Sequence, residues 1–263
     1  MLRAIVYLLA ITVAEIASVV LPSFNSEFLI AGLLLYTIIL LVMLVDAARL
    51  DRFYQGRIIL SLALVPLIRI LSLTMPLTQV PRLWWYPLIY LPLFITTVAA
   101  ARVLDYKPRD IGISLGSWPA QILVALLGLG LGYLEYIILS PEPLVASFTW
   151  QAALLPALLI FVFTGVTEEF IFRGVLQKSA VDLFGGWGIV YISVIFAVLH
   201  IGWAAGPDTA PLAWLDLPFA LGIGLLFGWI VKRTGSLLGV ILCHGVINVV
   251  LFIVAPFLFQ ARI

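Results

Sequence analysis

Charged residues are scarce in this sequence, and the scarcity decides its class. Asp, Glu, Lys and Arg make up only 10% of its 263 residues, whereas hydrophobic residues make up 64%. A soluble chain of this length could not bury so much apolar surface in a core. The composition therefore excludes a soluble globular protein and indicates a protein whose solvent is largely lipid.

Other absences narrow the range of functions. The only cysteine, Cys243, excludes an intramolecular disulfide, and its apolar surroundings favour a buried, unreactive thiol. The net charge of +1 comes without a basic cluster, which argues against nucleic-acid binding. The sequence also lacks a phosphate-binding glycine-rich loop, the His-Glu-x-x-His motif of zinc proteases and the Gly-x-Ser-x-Gly motif of serine hydrolases. None of these three chemistries is supported.

Long apolar runs predict an all-α, polytopic bundle of about 8–9 transmembrane helices. A helix needs roughly 20 mostly apolar residues to cross the hydrocarbon layer of a bilayer. The runs of suitable length lie near 4–21, 28–48, 58–76, 83–101, 119–139, 151–176, 187–203, 212–231 and 237–258. The first run could instead be a signal peptide, but Glu15 within it and the lack of a small-x-small cleavage site favour a membrane span.

The distribution of positive charge predicts the orientation of these spans. Lys and Arg concentrate in cytoplasmic loops. With nine spans, one side of the membrane receives Arg3, Arg49, Arg52, Arg57, Arg102, Lys107, Arg109, Lys178, Lys232 and Arg233, and the other receives Arg82 and Arg262. The sequence therefore predicts an integral, multi-pass membrane protein with its N-terminus in the cytoplasm and its C-terminus outside.

Polar and ionisable residues inside three of the predicted spans point to a functional site. Such residues are costly in lipid and usually have a purpose there. The sixth, seventh and ninth spans carry, in that order, Glu168, Glu169 and Arg173; Phe196 and His200; and His244 and Asn248. The two histidines are the only ones in the chain.

Helical spacing assigns faces to these residues. Glu169 and Arg173 are four residues apart, so we expect them to pair along one face of their helix. Glu168 is rotated from Glu169 by roughly 100° on a helix with 3.6 residues per turn, so it is free to point elsewhere. His244 and Asn248 are also four apart and share a face, in the same way as Phe196 and His200. Three helices can therefore present one carboxylate, two imidazoles and one amide to a common point.

This set of groups is suited to hydrolysis of a peptide bond by water. A carboxylate shielded from bulk water is a competent general base. An imidazole can hold the attacking water or bind a metal ion that does so. An amide and a second imidazole can stabilise the oxyanion that forms on the scissile carbonyl.

The remaining polar and aromatic residues in the spans are interpreted as structural. We expect Arg69 to pair with Glu135, or either side chain to extend to the membrane interface. Glu15 receives the same structural interpretation. A cluster of aromatic residues resembles an interfacial belt; its members are Trp84, Trp85, Tyr86 and Tyr90.

The ordered motifs resemble those of a known family. They read Glu168-Glu169-x-x-x-Arg173, Phe196-x-x-x-His200 and His244-x-x-x-Asn248. This set is similar to the motifs of the CAAX protease and bacteriocin-processing (CPBP, or ABI) intramembrane proteases, which include the Rce1-type prenyl-protein endopeptidases. The resemblance covers roughly residues 119–258, which we expect to form the catalytic transmembrane core. Residues 1–118 are expected to form N-terminal transmembrane helices without a motif.

The resemblance also implies roles for individual residues. Glu168 would be the general base and His200 would help to position the water, while His244 and Asn248 would stabilise the oxyanion. Glu169 and Arg173 would be a supporting pair, with Phe196 as part of its own motif. No cofactor is certain. Zinc is the alternative, with Glu168, His200 and His244 as its ligands, but a carboxylate bound to metal could not serve as a free base.

Three hypotheses for the function follow. The first is an intramembrane endopeptidase with a cavity that opens toward the cytoplasm, acting on a peptide or a protein, prenylated or not, within the lipid bilayer. The second is a catalytically silent membrane scaffold of the same family. The third is a proton-coupled transporter, which the lack of internal repeats disfavours.

Overall fold

The computed structural model describes residues 1–23, 27–50, 55–75, 79–202 and 210–259, and all regular structure within these ranges is helical. We number the apolar helices α1 Leu2–Val20, α2 Glu27–Arg49, α3 Gln55–Thr74, α4 Arg82–Val103, α5 Trp118–Leu139, α6 Trp150–Phe184, α7 Trp187–Val198, α8 Ala213–Thr234 and α9 Leu238–Leu258. Eight of these helices, all but α7, are long and apolar enough to cross a membrane. The predicted all-α polytopic bundle is confirmed.

The seventh predicted span, 187–203, differs from the structure at its C-terminal end. Helix α7 has 12 residues and ends at Val198, and Leu199 and His200 form a turn. At about 1.5 Å per residue, such a helix is too short to cross the hydrocarbon layer of about 30 Å. Just after the helix, Arg69 Nη2 donates a hydrogen bond to the carbonyl of Leu199. Most of the predicted connection after Gly202 lies outside the described residues.

Hydrogen bonds between connections show which helix ends lie together. The amide of Leu237, between α8 and α9, donates to the carbonyl of Gly112, between α4 and α5 (2.8 Å). At the other end of the bundle, the amide of Leu144, between α5 and α6, donates to the carbonyl of Phe252 in the second half of α9 (2.8 Å). The connections 104–117, 185–186 and 235–237 therefore define one end of the bundle, which we call the basic end.

The basic end takes its name from the cations that the described residues place there. Arg57 and Lys178 both lie against the ring of Tyr106, at 5.5 and 5.6 Å. The others on this side are Arg3, Arg49, Arg102, Lys107, Arg109, Lys232 and Arg233. Arg82 begins α4 at the opposite end, while Arg52 and Arg262 lie outside the described residues. The predicted segregation of charge between the two ends is therefore present among the described cations.

Two glycines let α5 approach α9 closely. A Cβ atom at Gly128 would lie 2.5 Å from the carbonyl oxygen of Cys243, and one at Gly132 would lie 2.7 Å from the carbonyl oxygen of Ile247. Gly130, between them, faces open space. Small residues at such spacing are typical of close helix packing in membranes. This contact fixes the position of α9, which carries two of the candidate site residues.

Candidate active site

Helices α6 and α9 cross beside the candidate residues because two glycines remove side chains from the crossing. A Cβ atom at Gly165 would lie 3.0 Å from the backbone nitrogen of Gly245, and one at Gly245 would lie 2.4 Å from the ring of Phe161. Gly245 directly follows His244, and Gly165 lies about one turn before Glu168. The crossing therefore brings the two motifs face to face.

The two adjacent glutamates of α6 face different surroundings. They belong to the short α-helical stretch Thr167–Glu169, which lies between two π-helical segments of the kind often found at functional sites. Glu169 is completely buried, and Arg173 Nη1 donates to its Oε1 at 3.1 Å. Glu168 instead lines a cavity. Both the predicted pair and the predicted divergence of the two glutamates are confirmed.

His244 lies between these two glutamates. Its Nδ1 is 2.7 Å from Glu169 Oε1, and because a carboxylate only accepts hydrogen bonds, Nδ1 carries a proton. Its Nε2 faces Glu168 Oε2 at 3.8 Å, which is too long for a direct hydrogen bond. A water molecule beside this pair can form hydrogen bonds with both atoms.

A tyrosine of α4 holds the other oxygen of Glu168. The Tyr90 hydroxyl donates to Glu168 Oε1 at 2.6 Å. Tyr90, Tyr86 and Trp85 line the cavity, so their interpretation as an interfacial belt is wrong, whereas Trp84 is exposed. The reason is that the start of α4 packs against α6, and a buried phenol requires a polar partner. In the sequence, the two tyrosines are four residues apart, and this spacing indicates that they share one face of the helix.

Asn248 and His200 complete the predicted set. Asn248 Nδ2 donates to Thr164 Oγ1 at 2.8 Å, which leaves its second N–H for another acceptor. His200 Nδ1 lies 2.7 Å from the carbonyl of Phe196, and the rings of these residues are 4.5 Å apart. The guanidinium of Arg173 lies 4.3 Å from the centre of the Phe196 ring. Phe196 thus connects the buried ion pair to His200.

All four candidate catalytic residues line one cavity of about 300 Å³. It is bounded by α4, α5, α6, α8, α9 and the end of α7. Its polar lining residues include Arg82, Tyr86, Tyr90, Glu135, Thr164, Glu168, His200, His244 and Asn248. A second cavity of about 160 Å³, between α3 and α4, also reaches Glu168 and His200. The structure therefore brings together the residues that the motifs predicted and adds Tyr90, Thr164 and Glu135.

The predicted pairing of Arg69 with Glu135 is wrong. The guanidinium of Arg69 binds both carboxylate oxygens of Glu15, and Tyr36 donates to Glu15 Oε2 at 2.5 Å. Glu15 lies 13 residues into α1 and Arg69 lies 14 residues into α3, so the two side chains meet at the same depth in the bundle. Glu135 faces the cavity instead.

The proposed zinc ligands do not form a compact site. Among the residues that the structure describes, no three His, Cys, Asp or Glu side chains are grouped closely enough to bind one metal ion. The Nδ1 atoms of His200 and His244 both have protein partners, which leaves the Nε2 atoms as the ones that could bind a metal ion. A zinc ion held by Glu168, His200 and His244 therefore stays a prediction.

The cavity lies in the half of the bundle away from the basic end. Its lining residues come from the first nine residues of α4, the last five of α5, the first half of α8 and residues 244–252 of α9, which begin about a third of the way along that helix. The exposed residue Arg82 belongs to the lining. The side on which the cavity opens and the orientation of the N-terminus, both expected from the sequence, stay predictions.

The fold and the cavity define a polytopic helical membrane protein with a polar Glu/His/His/Asn site between its helices. Residues 150–250 match the family model described as type II CAAX prenyl endopeptidase Rce1-like. This range contains every motif residue, and the match confirms the predicted resemblance to the Rce1-like proteases. Within residues 150–250 the chain is thus similar to the Rce1-like proteases. No curated protein and no solved structure matches the chain significantly.

Proposed function

We propose that the chain is an intramembrane endopeptidase in which Glu168 activates a water molecule for attack on a peptide bond. The observation that carries the proposal is the pair Glu168 Oε2 and His244 Nε2, which face each other at 3.8 Å across the cavity. Each of these side chains is held by a second partner, so the pair is positioned before substrate binds. The Rce1-like match of residues 150–250 supports the same class of reaction.

Glu168 is the general base of this mechanism. Tyr90 occupies its Oε1, which leaves Oε2 to take a proton from water. His200 donates through Nδ1 to the carbonyl of Phe196, so its Nε2 is an acceptor that orients the water. The oxygen of the water attacks the scissile carbonyl carbon as its proton moves to Glu168. General base catalysis of this kind contributes typically about 10²–10⁴-fold in rate.

His244 and Asn248 stabilise the oxyanion. We assign His244 the imidazolium form, because it lies between two carboxylates and because its charge and that of Arg173 then balance Glu168 and Glu169. Its Nε2–H and the second N–H of Asn248 are the donors to the developing negative charge. A single donor of this type is worth about 10²–10³ in kcat.

Collapse of the tetrahedral intermediate completes the reaction. The carbon–nitrogen bond breaks, and the proton that Glu168 took from the water passes to the leaving amine. The products are a carboxylic acid and an amine, and Glu168 returns to its ionised form. The remaining proton of the water then passes from the new acid to the amine, which gives a carboxylate and an ammonium group. No step requires a bound metal ion.

The proposal includes an orientation in the membrane and a class of substrate. The N-terminus is cytoplasmic and the C-terminus lies outside, because the described cations of the basic end belong in the cytoplasm. The family description adds prenylated CAAX proteins to the candidate substrates. An assay must therefore compare prenylated and unprenylated peptides of the same sequence.

The test is peptide cleavage by purified protein in detergent. The variants are Glu168→Gln, His200→Ala and His244→Ala, with Glu142→Gln as the matched control because Glu142 is an exposed carboxylate outside the cavity. We expect cleavage by the wild type and by Glu142→Gln, and a loss of at least about 100-fold in the three cavity variants. Thermal unfolding in the same detergent verifies that each variant is folded.

Two outcomes would count against the proposal. If the folded cavity variants cleave as well as the wild type, Glu168 is not the base and the proposed site is wrong. If chelators abolish cleavage and zinc restores it, the metal-independent mechanism is wrong.

A further inference from the structure

Glu135 is a carboxylate of the cavity that the proposed mechanism does not use. It lies near the end of α5 and lines the same cavity as Glu168. Glu168, His200 and His244 each have a hydrogen-bond partner in the protein. Within the part of the chain that the structure describes, Glu135 has neither a hydrogen-bond donor nor an ion-pair partner. Its carboxylate is therefore free to bind a group that enters the cavity.

A second carboxylate, that of Asp216, lies close to Glu135. Asp216 is in the first turn of α8, three and four residues before the lining residues Phe219 and Ala220. It is completely buried, and neither of its carboxylate oxygens has a hydrogen-bond partner among the described residues. Of the charged side chains that act on Glu135, Asp216 has the largest effect. The two carboxylates thus reinforce each other's negative potential.

No cation of the described cavity lining compensates these two carboxylates. With His244 as an imidazolium, the charged residues of the motifs sum to zero, so Glu135 and Asp216 add uncompensated negative charge. Arg82, the other cation of the lining, is exposed and is not among the charges that act on Glu135. Carboxylates shielded from water are costly without a counter-charge. A cationic group that enters the cavity therefore gains a favourable interaction that the protein itself does not satisfy.

The packing of α5 on α9 determines where Glu135 lies along the cavity. Both helices begin at the basic end, and Gly132 of α5 lies against the carbonyl of Ile247 of α9. Glu135 is therefore level with about residue 250, which is about 3 Å beyond Asn248 and about 9 Å beyond His244 at 1.5 Å per residue. An extended peptide advances about 3.3–3.6 Å per residue. A side chain about two or three residues from the scissile bond can thus reach Glu135.

We propose that Glu135, reinforced by Asp216, makes the cavity selective for a substrate with a Lys or Arg side chain near the scissile bond. The ammonium or guanidinium group binds the Glu135 carboxylate and supplies the missing positive charge. The substrate class is that of peptides or membrane-anchored proteins with a basic residue about two or three positions from the cleavage site. The cleavage of a bond there rests on the proposed function, whereas the binding of the cationic group does not.

The test is a series of reporter peptides that share one sequence and one scissile bond. A single Lys is moved through the positions on both sides of that bond. At each position, Met provides an uncharged side chain of similar length, and Glu provides the opposite charge. The value of kcat/KM is measured for the wild type, Glu135→Gln and Asp216→Asn. Glu142→Gln is the matched control, because Glu142 is exposed and does not line the cavity.

The expected result is a preference for Lys that depends on Glu135. In the wild type, the best Lys peptide should exceed its Met counterpart in kcat/KM by at least about tenfold. Glu135→Gln should reduce this ratio to within about twofold of one, whereas Glu142→Gln should keep the wild-type ratio. Asp216→Asn should reduce the ratio less, because Asp216 does not line the cavity. In Glu135→Lys, the Glu peptide should become the best substrate of the series.

Three outcomes would overturn the inference. The first is a wild type that does not distinguish Lys from Met at any position, and the second is a preference for Lys that Glu135→Gln retains. The third is cleavage of the Met peptide that requires sodium or potassium ions in the wild type but not in Glu135→Gln, because an inorganic cation then occupies the site. If Glu135→Lys does not fold, the isosteric Glu135→Gln decides.

Peptide binding separates this inference from the proposed function. Fluorescence anisotropy measures the binding of the Lys and Met peptides to Glu168→Gln and to the double variant Glu168→Gln/Glu135→Gln. If the wild type cleaves no peptide, but Glu168→Gln binds the Lys peptide more tightly and the double variant does not, the protease proposal fails and the cation-binding role of Glu135 stands. If the wild type cleaves Lys and Met peptides equally well, the protease proposal stands and the role of Glu135 is wrong.

Discussion

Two buried arginine–glutamate pairs lie within the bundle, and they differ in how the chain forms them. Glu169 and Arg173 are four residues apart in α6, at 3.1 Å. Glu15 and Arg69 are 54 residues apart and join α1 to α3. Both glutamate side chains are completely buried, so each pair satisfies charges that lipid and protein would otherwise leave unpaired.

Each pair also supports one of the two histidines. Glu169 binds Nδ1 of His244 directly. Arg69 instead donates to the carbonyl of Leu199, the residue that precedes His200 in the turn after α7. The local pair thus acts on a side chain, and the long-range pair acts on a backbone. We expect variants of the first pair to have the larger effects.

The largest effect is expected for Glu169→Gln. The change leaves Arg173 buried without a counter-charge and weakens the hold on His244. Breaking one partner of a buried pair costs about 3–5 kcal/mol, so the free energy of unfolding should fall by this order. Peptide cleavage should fall by at least about 100-fold, because a donor to the oxyanion loses its position. Unfolding in detergent and kcat measure the two effects.

A rescue experiment separates stability from positioning. The double variant Glu169→Gln/Arg173→Met removes both charges, and we expect it to recover stability but not activity. Full recovery of cleavage in the double variant would show that Glu169 has only a structural role.

A smaller effect is expected for Arg69→Met. Glu15 then keeps only the hydrogen bond from Tyr36, and the carbonyl of Leu199 loses its donor. Because Arg69 is 17% exposed, we expect a loss of no more than about 3 kcal/mol in stability. We expect kcat to fall by about tenfold through displacement of His200, with little change in KM.

The double variant Glu15→Gln/Arg69→Met is the corresponding control. It removes the unpaired carboxylate, so stability should recover, while kcat should stay low because Leu199 still lacks its donor. Recovery of both quantities would mean that Arg69 has no positioning role.

The contrast between the pairs also shows how far the sequence could predict the site. Residues four apart on one helix share a face whatever the tertiary structure, so Glu169–Arg173 and the divergence of Glu168 followed from helical period alone. The partner of Arg69 depends on which helices are neighbours and on their relative depth. The sequence supplies neither of these, so it favours Glu135 as the partner of Arg69 where the structure has Glu15.

The same reason accounts for the other differences. From the sequence alone, Tyr90 resembles an interfacial aromatic residue. In the structure, α4 packs on α6 and the Tyr90 hydroxyl donates a hydrogen bond to Glu168. The carbonyl of Leu199, just after α7, accepts a hydrogen bond from Arg69, which is 130 residues away in the sequence. The number and class of the helices depended on apolar length alone, and that prediction is confirmed.

Two tyrosine variants sharpen the comparison. Tyr36 donates to the structural carboxylate Glu15, and Tyr90 donates to Glu168 in the cavity. A hydrogen bond to a charged group is worth about 1.5–3 kcal/mol. We expect Tyr36→Phe to lower stability by this order with unchanged kcat. Tyr90→Phe should lower stability less, because Glu168 faces the cavity, and should lower kcat by about tenfold. Similar effects of both variants on unfolding would contradict the distinction between a structural and a functional carboxylate.

The smallest effect is expected for Asp182→Asn, which tests whether burial gives Glu169–Arg173 its importance. Lys178 and Asp182 have the same spacing in the same helix, with a contact of 2.5 Å, but their side chains are 29% and 25% exposed. Exposed pairs four residues apart contribute about 0.3–0.5 kcal/mol, since water solvates both charges when the pair breaks. Asp182→Asn should therefore change unfolding by less than about 1 kcal/mol and leave peptide cleavage at the wild-type rate. If its effect on stability equals that of Glu169→Gln, helical spacing rather than burial determines the cost of breaking either pair.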